Sequence, residues 1–165
     1  MASALAPDFY YSSVHAIDLE ALWLSGVRVL LLDLDNTLLP RDTNMVPDAS
    51  KAWVDSLKER GFRICAVSNN WHERVRVVAA ELGIDLVDHA VKPVPFAFLR
   101  ALCRVGGRVR ESAVIGDQLF TDILGGKLLG MRTVLVQPLS ATDLAHTLLL
   151  RRLEAIVLKR RVPVS

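Results

Sequence analysis

The sequence predicts an α/β fold, a parallel sheet with helices packed on both faces. Short apolar runs alternate with helical segments along nearly the whole chain, which is typical of a three-layer α/β/α sandwich. Residues 29–32 are all apolar, so the strand they form is expected to be buried on both sides. The connections are too short for a second domain. We therefore expect one domain over 1–165, with its core at about 17–140.

Five strands are expected, and residues 1–15 are expected to be irregular. A short helix over about 17–25 ends at Gly26, a residue type that commonly terminates helices. The following apolar runs indicate the strands, at about 27–33, 62–67, 84–87, 113–116 and 131–137.

Helices are predicted between these strands from their apolar faces and from residues typical of helix ends. Pro47 suits the first turn of one helix, and Asn70 with Glu73 resembles a capping box at the start of another. The predicted helices cover about 47–60, 71–82, 95–104 and 119–129, with a last one over about 143–161.

The composition limits the classes of function. The chain is 52% hydrophobic, which fits buried parallel strands and also an interface or membrane surface. Aromatic residues make up 6%, which argues against a base-stacking nucleic-acid surface. Cys65 and Cys103 show no metal or disulfide pattern, and no signal peptide or membrane-spanning run is apparent. These features predict a cytoplasmic protein, at most peripheral at a membrane, or one in an organelle matrix or stroma.

Polar residues follow four of the predicted strands. Because ligands of open α/β sheets bind beyond the carboxyl ends of the strands, these residues are expected to share one crevice. Paired carboxylates there repel each other and need an offsetting cation or a proton. An acidic turn capping the strand is the simpler alternative. A nucleophilic carboxylate, a metal and donors for phosphate oxygens together suit phosphoryl transfer. The residues are Asp33, Asp35, Thr37, Ser68, Asn69, Lys92, Asp117 and Asp122.

These motifs resemble the haloacid dehalogenase (HAD) superfamily of aspartate-nucleophile phosphatases, whose fold is Rossmann-like. The matching segments are Asp33-Leu-Asp35-Asn-Thr37, Ser68-Asn69, Lys92-Pro93 and Gly116-Asp117 through Asp122. Together with the closing Leu-Leu-Arg-Arg-Leu-Glu, they look like the YqeG branch, which is similar to mitochondrial and plastid phosphatidylglycerophosphate phosphatases. One departure is Phe96-Ala97-Phe98, where the family leads us to expect more polar residues; it bears on substrate contacts.

The resemblance implies roles for the three residues of the first motif. Asp33 would attack phosphorus and become an aspartyl phosphate, and Asp35 would serve as general acid and then general base. Mg²⁺ would be bound by Asp33, the backbone carbonyl of Asp35 and Asp117. Thr37 would support the loop and the orientation of Asp35.

The remaining roles follow from the same resemblance. Ser68 and Lys92 would bind phosphate oxygens, and Lys92 would also neutralise the intermediate. Asp122 would orient a metal-bound water or Lys92, or else cap the following helix. Asn69 would contact the substrate or simply continue a turn.

The chain offers no segment long enough for a cap domain, since the two gaps where relatives insert one cover only about 38–46 and 88–95. An open site suits a large or surface-bound substrate, and the family suggests phosphatidylglycerophosphate, an anionic phospholipid. Alternatives are a phosphatase of nucleic-acid ends, phosphoproteins or small phosphometabolites, although the low aromatic content weakens nucleic acid. An inactive binding module is the alternative of another class.

The last predicted helix is basic and amphipathic. Five basic residues against Glu154 give the tail a net charge of +4, which leaves −2 for the rest of the chain. Such a helix can lie on an anionic membrane surface, or it can pack its apolar side on the sheet.

Overall fold

Six parallel strands form one sheet in the computed structural model, which describes residues 5–40, 43, 45–140 and 163–165. The sheet order is β1-β6-β5-β2-β3-β4. The strands are β1 (Phe9–Tyr11), β2 (Val29–Leu32), β3 (Arg63–Val67), β4 (Asp85–Val87), β5 (Ser112–Gly116) and β6 (Arg132–Val136).

Strand β2 lies in the middle of the sheet because its four apolar side chains need cover on both faces. All four are completely buried, and β2 pairs with β3 on one side and β5 on the other. Leu32 lies opposite Ile115, so β2 and β5 end at the same level. The chain runs outward from β2 through β3 and β4, then returns to β5, which makes the β2–β5 boundary the switch point where ligands bind in such sheets.

Helices cover both faces, which confirms the three-layer α/β prediction. The apolar faces of the second and third helices pack on one side of β2, against Leu30 and Leu32. The fourth helix packs on the opposite side, against Val29 and Leu31. The helices are α1 (Leu19–Leu24), α2 (Asp48–Glu59), α3 (Glu73–Leu82), α4 (Pro95–Val105) and α5 (Leu124–Leu129).

The prediction of five strands was wrong by one, because β1 lies in the segment that was expected to be irregular. Phe9–Tyr11 pairs in parallel with β6 at the edge of the sheet. Asp8 fixes this edge: its carboxylate accepts hydrogen bonds from the backbone N–H and the hydroxyl of Thr133 and pairs with Lys127. At the other side of β1, Tyr11 forms a single bridge with Val164.

The predicted helix over 119–129 begins irregularly. Its first part is a π-helix, Leu119–Ile123, and regular α5 follows. Gly125 lies beneath the ring of Phe98, where a side chain would overlap the ring. Phe98 is completely buried, so this part of the unexpected Phe96-Ala97-Phe98 segment serves the contact between α4 and α5.

The connections after β2 and β4 are short, as expected for a fold without a cap domain. They cover 33–47 and 88–94. None of the helices described here has the length and apolar character needed to cross a membrane. The predicted basic helix at 143–161 lies outside the described residues, and the single-domain assignment remains a prediction.

Candidate active site

Two buried carboxylates lie side by side beyond the switch point of the sheet. Asp33 follows β2 directly and is 7% exposed, and Asp117 follows β5 directly and is completely buried. The hydrophobic strands fix both positions, because β2 and β5 are paired up to Leu32 and Ile115. The backbone N–H of Asp33 continues this pairing by donating to the carbonyl of Ile115. The two carboxylates therefore lie together beyond the carboxyl ends of β2 and β5, where the common crevice is expected.

Lys92 reaches this crevice from the connection after β4. Its ammonium donates to Asp33 Oδ1 at 2.6 Å and to Asp122 Oδ1 at 2.6 Å. The side chains of all three residues are buried. Since buried ion pairs need further hydrogen bonds to offset their lost hydration, the remaining carboxylate oxygens matter.

Both of those oxygens are bound. The Thr37 hydroxyl donates to Asp33 Oδ2 at 3.2 Å, and the backbone N–H of Gln118 donates to Asp122 Oδ2 at 3.2 Å. Thr37 thus contacts Asp33 rather than Asp35, whose orientation it was expected to support. Asp122 thus contacts Lys92, as one of the alternatives for it predicted, while its other oxygen accepts from Gln118, the residue before the π-helix.

The electrostatics of the cluster favour an additional cation. Burial raises the pKa of Asp33 well above its usual range, and the charges of Asp122 and Asp117 raise that pKa further, outweighing Lys92. For Lys92, burial alone would lower the pKa, but the charges of Asp122 and Asp33 outweigh it and raise the pKa. Lys92 is therefore protonated. Its single positive charge is too small to balance the three carboxylates of Asp33, Asp117 and Asp122.

The same three carboxylates could hold a metal ion. One oxygen each from Asp33, Asp117 and Asp122 lies within 4.8 Å of the others, and all three residues are buried. Carboxylate oxygens are the ligands that Mg²⁺ prefers, usually with waters and substrate phosphate completing the shell. A divalent cation would neutralise the charge that Lys92 leaves uncompensated, so the residues present fit the expected Mg²⁺.

Gly116 allows this arrangement, since a side chain there would overlap the carboxyl group of Asp122. The π-helix turns that carboxyl group back toward β5, and π-helical turns often occur at functional sites. A regular helix was predicted at this point, and its periodicity gave no sign of the extra residue per turn.

Asp35 lies at the entrance, partly exposed, and contacts a different set of residues. Asp35 Oδ2 accepts hydrogen bonds from the Ser68 hydroxyl at 3.4 Å and from the Asn70 side-chain amide at 3.3 Å. The Ser68 hydroxyl in turn accepts the backbone N–H of Asn70 at 3.0 Å. Asp35, at the entrance, and Asp33, in the interior, thus have environments suited to different tasks.

Asn70 is a site residue that sequence reasoning missed, because its spacing to Glu73 indicated a capping box. In the structure α3 begins at Glu73 with His72 in the cap position. Asn70 accepts the backbone N–H of His72 through Oδ1 and contacts Asp35 through Nδ2. A second amide directly after Ser68-Asn69 was the only signal that could have identified it.

Asn69 faces the backbone of Lys92. Asn69 Oδ1 accepts the Lys92 N–H at 2.6 Å, and Asn69 Nδ2 donates to the Lys92 carbonyl at 3.3 Å. These contacts were not foreseen, and the two roles expected for Asn69, substrate contact or continuation of a turn, remain predictions. The contacts join the connections after β3 and β4 and position the backbone from which the ammonium of Lys92 extends.

Comparison with known proteins identifies the family. The HAD-hydrolase-like family model matches residues 89–146. The probable phosphatase YqeG of Bacillus subtilis is 36% identical over 152 residues, which cover 92% of this chain and 88% of that protein. Phosphatidylglycerophosphate phosphatase 1, chloroplastic/mitochondrial, of Arabidopsis thaliana is 29% identical over 164 residues; the match covers 93% of this chain but only 47% of the plant protein.

A solved structure supports the fold. The cobalt-bound form of deoxy-D-mannose-octulosonate 8-phosphate phosphatase from Haemophilus influenzae matches with a TM-score of 0.56 at 14% identity, covering 82% of this chain and 90% of that chain. The similarity to YqeG extends along nearly the whole of both chains and includes the carboxylate site. This protein therefore belongs to the YqeG branch of the HAD superfamily and is a phosphatase of the HAD type.

Proposed function

We propose that the protein is a Mg²⁺-dependent phosphomonoester hydrolase that works through an aspartyl phosphate and acts on a lipid phosphate. The observation that carries the chemistry is the buried Asp33, bound by Lys92 at 2.6 Å, beside Asp117 and Asp122. A carboxylate in such a site is desolvated and oriented, which are the conditions a nucleophile needs. The inactive binding module is disfavoured because every charged group of this arrangement is present.

The reaction has two steps. In the first, an Asp33 oxygen forms a bond to phosphorus, the bond from phosphorus to the leaving oxygen breaks, and Asp35 donates its proton to that oxygen. In the second, Asp35 takes a proton from water as the water oxygen bonds to phosphorus. The acyl phosphate bond breaks, which releases inorganic phosphate and restores the Asp33 carboxylate.

Ser68, Lys92 and Mg²⁺ bound by the carboxylates would offset the negative charge of the phosphoryl group. The Ser68 hydroxyl and the Lys92 ammonium are donors suited to phosphate oxygens. Mg²⁺, bound by Asp33, Asp117, the Asp35 carbonyl and the neighbouring Asp122, would screen the nucleophile from the phosphate charge. The Lys92 ammonium already lies beside Asp33, so it would also lie beside the phosphoryl group of the aspartyl phosphate and offset part of its negative charge.

Phosphatidylglycerophosphate is the proposed substrate, with phosphatidylglycerol as the product. Two observations support it: the short connections that leave the site without a cap, and the similarity to the plant phosphatidylglycerophosphate phosphatase over 93% of this chain. An uncovered site can approach a headgroup at a membrane surface. We accordingly place the enzyme at the face of a membrane rather than across it.

A phosphate-release screen with Mg²⁺ tests the substrate. Phosphatidylglycerophosphate in detergent micelles, sugar phosphates, nucleotides, 5′-phosphorylated DNA and a phosphopeptide are compared by kcat/KM, with Asp33→Asn protein as the blank. We expect the lipid to be preferred. A higher kcat/KM for any of the water-soluble substrates would contradict the lipid assignment while leaving the phosphatase mechanism intact.

Replacing Asn69 tests whether it positions Lys92. Asn69→Ala removes both hydrogen bonds to the Lys92 backbone, so we expect about a tenfold loss of kcat/KM on a soluble aryl phosphate, equivalent to one or two lost hydrogen bonds. Asn69→Asp keeps an acceptor for the Lys92 N–H and should retain more activity than the alanine variant. Equal activity of parent and Asn69→Ala would show that Lys92 needs no such support.

A further inference from the structure

Four large apolar side chains are exposed on the connections that border the site. Trp71, Val91, Val94 and Phe96, called the apolar rim below, are 66%, 67%, 48% and 67% exposed. They lie after β3 and after β4, up to the first turn of α4. These are the carboxyl ends of β3, which pairs with β2, and of β4, the edge strand beyond β3, so the apolar rim lies at the same end of the strands as the active site.

Two contacts hold parts of the rim close to the connection after β4. The ring of Trp71 lies 6.1 Å from that of His89, between centroids. The backbone N–H of Val94 donates to the carbonyl of Val91, which brings these two residues together in a turn. Lys92 lies between them in the sequence and donates to Asp33, so Val91 and Val94 flank the residue that binds the proposed nucleophile.

Val91 has a backbone conformation that the fold does not explain. Its φ is +54°, in the left-handed region that β-branched residues rarely adopt. The side chain gains no burial in return, since two thirds of it is exposed. Asparagine or glycine would suit this backbone better, so an exposed valine here is expected to contact something outside the chain.

Phe96 differs from Phe98, two residues further on, because Phe98 packs inside the fold and Phe96 does not. Phe98 is completely buried against Gly125, whereas Phe96 extends outward from the first turn of α4. The Arg100 guanidinium lies 5.9 Å from the centre of the Phe96 ring. Exposed aromatic side chains with a cation beside them are typical of the region where a membrane meets water.

We propose that the apolar rim inserts into the surface of the membrane that carries the lipid phosphate, so that the headgroup enters the site beside Lys92. This inference rests on the proposed function. The occupant is a lipid surface rather than a stable protein partner, because a protein bound over the rim would obstruct the entrance to the site. A membrane instead presents the substrate at the surface that the rim contacts.

Trp71→Gln/Phe96→Gln tests the rim, with Leu24→Gln/Leu128→Gln as the matched control. Leu24 and Leu128 are also exposed, at 78% and 58%, but they precede β2 and β6, at the amino ends of the strands rather than at the carboxyl ends. Binding is measured by co-sedimentation with vesicles of phosphatidylcholine and phosphatidylglycerol, neither of which is a phosphomonoester. Turnover is measured on phosphatidylglycerophosphate in the same vesicles, on the same lipid in detergent micelles, and on a soluble aryl phosphate.

We expect the rim variant to bind vesicles at least about tenfold more weakly than the parent, with a similar loss of turnover on vesicles. Its hydrolysis of the aryl phosphate should equal that of the parent, and the control variant should match the parent throughout. The tryptophan emission of the parent should shift to shorter wavelength on vesicles, and the rim variant, which keeps Trp23 and Trp53, should lack this shift. The shift should persist in high salt, because apolar insertion is not screened.

Other outcomes overturn the proposal. Unchanged vesicle binding by the rim variant would exclude the rim as the membrane contact, and equal losses in the control would show nonspecific adsorption. A parent dimer that the rim variant dissociates would identify the rim as a self-association surface. The parent could instead hydrolyse other phosphates but not the lipid phosphate in micelles. That result would contradict the proposed substrate rather than the membrane contact, so the two failures can be told apart.

Discussion

Asparagine in place of Asp33 is expected to abolish turnover while leaving the protein folded. The amide has the same shape but is a poor nucleophile, so kcat should fall by at least about 10⁴-fold, in the range found when other covalent nucleophiles are removed. Turnover of an aryl phosphate with Mg²⁺ measures the loss. Unfolding in urea measures stability, with Mg²⁺ and with a chelator.

The stability of Asp33→Asn distinguishes a lost nucleophile from a damaged fold. Burial and the charges of Asp122 and Asp117 raise the pKa of Asp33, so its ionised form is unfavourable when no metal is present. In chelator the variant should therefore be at least as stable as the parent, and Mg²⁺ should stabilise it less. Asp85→Asn, which changes an exposed carboxylate on β4, is the control and should behave as the parent. Substantial turnover by well-folded Asp33→Asn protein would exclude the aspartyl-phosphate mechanism.

The central part of the fold could be predicted because its physical signals are local and strong. A strand with four apolar residues in succession must be covered on both faces, and the polar residues that follow such strands must then lie at one edge of a parallel sheet. The sequence alone therefore predicts that Asp33 and Asp117 lie side by side, as they do in the structure. The catalytic roles needed the family resemblance, because geometry alone does not distinguish a nucleophile from a metal ligand.

The edge strand could not be predicted in the same way. Phe9–Tyr11 has three residues, too few to show a periodicity, and its place is determined by distant residues. Asp8 contacts Thr133, 125 positions further along the chain. Such long-range hydrogen bonds leave no pattern in the local sequence.

The contacts of three site residues could not be predicted for a related reason. Asparagine and threonine are common turn residues, so a turn is enough to explain Asn69, Asn70 and Thr37 when only the sequence is considered. Their contacts with Lys92, Asp35 and Asp33 depend on which connections the sheet brings together. The π-helix that turns Asp122 toward Lys92 likewise depends on tertiary contacts rather than on helix propensity.

Replacing Lys92 by methionine is expected to lower both activity and stability. Among the described residues, the Lys92 ammonium is the cation that pairs with the buried carboxylates, through Asp33 and Asp122. Breaking a buried ion pair by removing one partner typically costs about 3–5 kcal/mol, so the free energy of unfolding in chelator should fall by about that amount. Turnover should fall by at least about 1,000-fold, as when a donor to the developing charge is removed.

Lys51→Met is the matched control for Lys92→Met. Lys51 pairs with Glu81 at 2.6 Å, the same distance as in the Lys92 pairs, but its side chain is 38% exposed where that of Lys92 is 3% exposed. Water and salt screen exposed pairs, so Lys51→Met should remain close to the parent in stability and activity. The contrast between the two variants isolates burial, because the residue change and the pair distance are the same.

The pH dependence of the Lys92→Met variant supplies the last part of this test. The raised pKa of Asp33 means that the folded protein binds more protons than the unfolded chain between the usual aspartate range and that raised value. The free energy of unfolding in chelator should therefore rise as the pH falls through this window, and for Lys92→Met the window should extend to higher pH than for the parent, since no ammonium remains to lower the pKa of Asp33. Urea unfolding at several pH values measures the slope. Equal stability of Lys92→Met and Lys51→Met at neutral pH would show that the buried carboxylates are not held by Lys92.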